Sequence, residues 1–172
     1  MTQRLPPAKQ DRRAVEGLPG AGIGMVLPRL STNILSGLME ALAGPPYNGT
    51  ADLPELAATL QMEADELFPI VETLQLLRFA DTADGDVALT ERGYHFVDST
   101  VDGRKRLFAA QLLAYVPLAA RIRQVLDERP KHQAPFTRFS EELEDHMPTE
   151  LAEVTMRAVD FMGAVCRVIQ LR

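Results

Sequence analysis

Glycines 17, 20, 22 and 24, in the run GLPGAGIG, are spaced closely enough to wrap a phosphate. A nucleotide loop, however, needs a lysine to reach the terminal phosphates and a hydroxyl to hold magnesium. Met25 and Val26 follow instead, and no apolar strand precedes the run. It reads as a flexible linker, and no nucleotide or other cofactor is expected. The three histidines, His95, His132 and His146, are scattered, whereas a metal site wants clustered ligands. Glu142 and His146 do stand four apart beside Glu141, Glu144 and Asp145. That spacing fits a solvated acidic helix face better than a metal or small-anion sensor, which is kept as the alternative. His95 is expected half-buried after a hairpin, and His132 solvent-facing or bound to a carbonyl. Cys166 lies between Val165 and Val168 and reads as a packed thiol rather than a nucleophile. No sharp strand-to-helix nucleophile turn is present, so no catalytic residue is assigned.

Two charged groups remain as candidate partner contacts. One is the acidic turn Asp84-Gly85-Asp86. The other is the basic run Arg104-Lys105-Arg106. The basic run suits an acidic partner, a phosphate or the protein's own acidic face. It suits equally a solvated helix start balanced by Asp98 and Asp102.

The elements that would position these groups follow from periodicity. Pro6, Pro7, Pro19, Pro28 and the glycines make residues 1–28 a flexible leader. Ser31 caps a helix carrying Ile34, Leu35, Leu38, Met39 and Leu42 at helical spacing, stopped by Gly44-Pro45-Pro46. Asp52-Leu53-Pro54-Glu55 opens a second helix, and Asp65 a third, with Pro69 near the end of its first turn. Two short strands flank the Asp84-Gly85-Asp86 turn, and Thr90 caps the next helix, whose Tyr94, Phe96 and Val97 are available to the core. From Asp102 the pattern is helical to the end, broken at Pro117 and Pro130 and restarted at Pro148. Helix, turn, helix and hairpin is the winged helix-turn-helix order. The expected fold is mainly α: a winged helix with a small β-hairpin wing over residues 29–101, and a C-terminal helical subdomain, 102–172, packed on it.

Charge then bears on partners. The chain has 172 residues, 46% of them apolar, and a net charge of −6. Residues 51–98 hold eleven acids against Arg78 and Arg92, so nearly all the excess sits on the winged helix. A DNA-reading helix and wing need Lys and Arg against phosphates. Here the third helix, the would-be recognition helix DELFPIVETLQLLR, offers Asp65, Glu66 and Glu72, and the wing tip offers Asp84 and Asp86. DNA is therefore rejected as the main partner of this face. The single cysteine allows no intrachain disulfide and suits a reducing cytoplasm. No apolar run approaches the roughly 20 residues of a membrane span, and no apolar segment follows the N-terminal basic residues as in a secretory signal.

From Met25 onward the chain resembles the AAA-associated C-terminal domain found behind the ATP-binding cassette of nitrate/sulfonate/taurine/bicarbonate-type ABC transporter subunits. The resemblance is carried by VLPRLSTNILSGLMEAL, ADLPELAATLQMEADELFPIVETLQLLRFAD, DVALTERGYHFVD, RKRLFAAQLL and, above all, VPLAARIRQVLDERPKHQAPFTRFSEELED. It implies a non-catalytic accessory or regulatory domain associated with an ABC-type ATPase, with no catalytic residue to carry over. The expectation is a stand-alone form, or a subunit whose cassette lies on another chain, cytoplasmic and peripheral to an inner-membrane transporter complex. Long flanking helices suggest a homodimer. A transcription regulator that binds DNA as a dimer through Arg104–Arg106 is the alternative reading.

Overall fold

The computed structural model describes residues 27–169 and 171; the glycine run at 17–24 and most of the expected leader lie outside them. Helix α1 spans Thr32–Ala43, with the Ser31 side chain accepting from the Asn33 N–H. After strand β1, Thr50–Asp52, helix α2 covers Leu53–Leu60. Asp52 caps it, accepting from the Glu55 N–H at 2.9 Å, and Pro54 sits in the first turn, where a missing N–H leaves nothing unpaired.

Helix α3 runs Ala64–Leu76 and opens on a capping box between Glu63 and Glu66. The helix thus starts one residue before Asp65, and Pro69 falls inside it rather than in its first turn. The expected recognition segment also ends early: Leu77 caps the helix, and Arg78 turns left-handed at φ 62°.

Strands β2, Ala80–Ala83, and β3, Asp86–Leu89, form the hairpin. Its loop is the pair Asp84-Gly85 at φ 55° and 89°, the left-handed combination that matches strand twist. Asp86 is therefore the first residue of β3 and not part of the turn. The expected two-stranded wing is in fact a three-stranded antiparallel sheet in the order β1-β3-β2. β1 joins through Thr50↔Ala88, Ala51↔Val87 and Asp52↔Asp86.

Helix α4, Glu91–Asp98, is capped by Thr90, whose hydroxyl accepts from the Gly93 N–H and donates to the Arg78 carbonyl. Phe96 is buried as expected, Val97 is half-buried, and Tyr94 faces out. The exposed Tyr94 hydroxyl donates to the Asn48 carbonyl. Helix α5, Val101–Tyr115, and helix α6, Pro117–Asp127, are separated at Val116, as Pro117 requires. Helix α7, Phe136–Glu144, and helix α8, Thr149–Val165, complete the chain. The mainly helical winged-helix fold is as expected.

The core joins the two halves. Phe79 packs edge-on to Phe96 at 5.3 Å and stacks on Phe108 of α5 at 6.2 Å. Buried Gln111 of α5 donates to the Leu77 carbonyl at 2.8 Å, satisfying a polar pair that water cannot reach. No described helix is long and apolar enough to cross a membrane.

Candidate functional site

Helix α3 and the wing together form a groove of about 310 Å³, floored by Val71 and Leu53 and bounded by Phe68, Glu72, Gln75, Asp84 and Gly85. The helix sets the chemistry through its period. Leu67, Ile70, Val71 and Leu74 turn inward, which leaves Asp65, Phe68 and Glu72 on the outer face. Phe68 is 45% exposed, a large apolar side chain standing between two carboxylates. The wing leans against the helix through Thr82, whose hydroxyl donates to the Gln75 side chain at 3.1 Å. The wing tip is also tied to α2, since the Leu53 N–H donates to the Gly85 carbonyl at 2.9 Å.

Folding adds a third carboxylate to the expected pair at the tip. Asp52 stands opposite Asp86 across β1–β3, one residue from Asp84-Gly85. Like charges directly opposite disfavour a strand pair; the cap bond that Asp52 accepts from α2 offsets part of this. No lysine or arginine lines the groove among the described residues. Arg78, the basic residue at the end of the α3 segment, is half-buried and lies over the Tyr115 ring at 5.5 Å, engaged with its own fold.

The basic run does not form a continuous patch. Arg104 turns inward: Nη1 meets Glu40 Oε1 at 2.5 Å, Nη2 donates to the Val97 carbonyl at 2.7 Å, and the guanidinium lies 5.4 Å over the Phe96 ring. Its ion partner is therefore on α1 and is neither Asp98 nor Asp102. Lys105 is half-buried without an ion pair among the described residues, and Arg106 is exposed.

The remaining candidates separate. His95 is exposed, not half-buried, because α4 turns Phe96 and Gly93 inward instead. His132 is solvent-facing, with Nδ1 3.1 Å from the Leu126 carbonyl, so both halves of that expectation meet in one residue. Glu142 pairs with Arg121 at 3.2 Å and not with exposed His146. No group of three or more possible metal ligands occurs among the described residues. The Cys166 thiol is buried, donates to the Met162 carbonyl, and is pushed up in pKa by burial, which suits packing rather than attack. Phe68 is the surface residue that sequence reasoning missed: it was given no role, although it stands off the helix's inward-facing pattern.

A family model described as the C-terminal AAA-associated domain matches residues 54–164. The match begins in α2 and ends one residue before α8 does, so α1 and β1 lie outside it. Neither the curated proteins nor the solved structures yielded a match.

Proposed function

The chain belongs to the C-terminal AAA-associated domain family, and from that premise we propose that it is a non-catalytic accessory module which docks on an ABC-type ATPase through the α3–wing groove. The family is an accessory one, not a catalytic one. The carrying observation is the groove itself, with an exposed phenylalanine rimmed by Glu72, Asp84 and Asp65 and no cation in its lining. A partner that fits presents an apolar pocket for Phe68 surrounded by lysine or arginine. Buried aromatic anchors dominate binding energy at such surfaces, and rim charges tune partner choice and association rate. Regulation or tethering of the ATPase follows from docking.

The same electrostatics disfavour the DNA-binding reading. Carboxylates occupy the recognition face, and Arg104, one of three residues that a basic surface would need, is spent on Glu40 and Val97.

Purification of the tagged chain from its source cells tests the proposal. Mass spectrometry of the eluate is expected to identify a protein bearing an ATP-binding cassette, and Phe68→Ala is expected to weaken its retention by about 30-fold, the scale of a strong anchor. Absence of a cassette protein, or retention unaffected by Phe68→Ala, overturns it. A sizing column run on the same preparation reports the homodimer, a reading supported by the exposed Leu151, Val154, Phe161 and Val165 of α8.

A further inference from the structure

A second cleft, of about 350 Å³, opens where α1, α4, α5 and the end of α8 meet. It shares no lining residue with the α3–wing groove. We propose that it binds a small amphipathic monoanion, a carboxylate or comparable oxyanion carried on an apolar body.

Three features converge on that chemistry. The first is charge. Lys105 and Arg104 line the cleft with one carboxylate, Glu40, and that carboxylate is already held by Arg104. One positive charge is left over, on a lysine that is half-buried without an ion partner among the described residues. The Arg104 Nε is buried with no hydrogen-bond partner among the described residues. Partial burial of an unanswered cation costs free energy that an incoming anion recovers. The first turns of α1 and α5, at Thr32 and Val101, also border the cleft with the positive ends of their dipoles, two against the one negative end that α8 brings at Val165 and Cys166.

The second feature is the apolar part of the lining. Phe96, Phe108 and Val165 contribute apolar lining beside the cations, and Ser36 offers a hydroxyl, so the cleft mixes apolar and polar contacts. The volume lies at the small end of the range for small-molecule sites.

The third is Gly37. It sits inside α1, where glycine costs about 1 kcal/mol relative to alanine. Among the described residues, no atom outside its own stretch of α1 lies within 4 Å of the position its Cβ would take, so their packing does not demand a glycine there. What the missing side chain leaves is open space in the cleft, which Gly37 lines.

The fluorescent probe 8-anilinonaphthalene-1-sulfonate, an aromatic monoanion, and its uncharged counterpart N-phenyl-1-naphthylamine separate charge from shape. On the full chain the anionic probe is expected to bind saturably with one site. Lys105→Gln is expected to weaken it about tenfold, the scale of one charge-assisted contact, while leaving the neutral probe unchanged. Gly37→Leu fills the cleft without a backbone clash and is expected to remove both, with helical circular dichroism intact. Absence of saturable binding overturns the proposal. So does binding that survives Gly37→Leu, which would place the probe on another surface such as the apolar strip of α8, or an equal response of both probes to Lys105→Gln. None of these outcomes bears on the ATPase-docking reading.

Discussion

Arg104 shows how one side chain can be misassigned from its neighbours in sequence. Within Arg104-Lys105-Arg106 it looks like a third of a basic patch. In the fold its guanidinium lies over Phe96 and closes two contacts that hold α4 and α1 against α5. The contact with the Val97 carbonyl satisfies one of the groups that the end of α4 leaves without a helical partner. The two contacts differ in worth. Glu40 is half exposed, and exposed ion pairs contribute about 0.2–1 kcal/mol, whereas a charged donor on a partly buried carbonyl contributes about 1.5–3 kcal/mol. Arg104→Met, which keeps the apolar stem, is therefore expected to destabilise the protein by about 2 kcal/mol, and Glu40→Gln by less than about 1 kcal/mol. Urea denaturation of both variants checks the ranking, and equal losses would show that the ion pair, not the carbonyl bond, is what matters. Contacts three residues apart were legible in advance: Asp52 on Glu55 and Thr90 on Gly93 are local cap bonds announced by residue type. The Glu40–Arg104 pair spans 64 positions, and nothing local announces it.

At the scale of elements, the junction of α4 with the sheet depends on a glycine that the sequence showed only as part of a helix start. A Cβ on Gly93 would lie 2.2 Å from the Phe79 carbonyl oxygen, a backbone atom that the Thr90 N–H already uses. Neither partner can rotate away, so α4 or the start of β2 would have to move. Gly93→Ala is expected to cost about 3 kcal/mol, the upper end for overpacking, despite alanine's better helix propensity. Gly37→Ala in α1, with open space over it, is expected to gain about 0.5–1 kcal/mol. Thermal melts of the two variants should therefore shift in opposite directions; a stabilised Gly93→Ala would mean that the close approach is not maintained. Helices were readable because their apolar residues repeat over several turns. β1 was not, because Thr50-Ala51-Asp52 is only three residues long, and a single exposed–buried–exposed alternation does not stand out from chance. Its strand character comes entirely from pairing with β3, a tertiary fact. The exposed Phe68 went unassigned for a different reason: periodicity picks out the residues that face the core and says nothing of what an apolar residue off that face meets.

For the molecule as a whole, the question is whether the winged helix, 29–101, and the helices beyond it behave as two units. Only Ser99 and Thr100 separate α4 from α5, and the buried side chains form one connected cluster from Leu27 to Ile169. The aromatic contact between Phe79 and Phe108 and the hydrogen bond from Gln111 to the Leu77 carbonyl both cross the boundary. Losing the C-terminal helices would expose Phe79 to water and take away the Leu77 carbonyl's protein donor, so neither half is indifferent to the other. Domains of this size with one core generally unfold in a single cooperative step. We therefore expect one transition in urea. Far-UV circular dichroism follows the helices throughout, and tyrosine fluorescence reports Tyr47 and Tyr94 on one side of the boundary and Tyr115 on the other. The two probes should give the same midpoint, and Gly93→Ala should move both together although it lies on one side only. A second transition, or a Gly93→Ala shift confined to the winged helix, would show two separately stable units. The groove would then rest on the winged helix alone, while the α1–α5 cleft, which takes its lining from both halves, would be lost when either one melts.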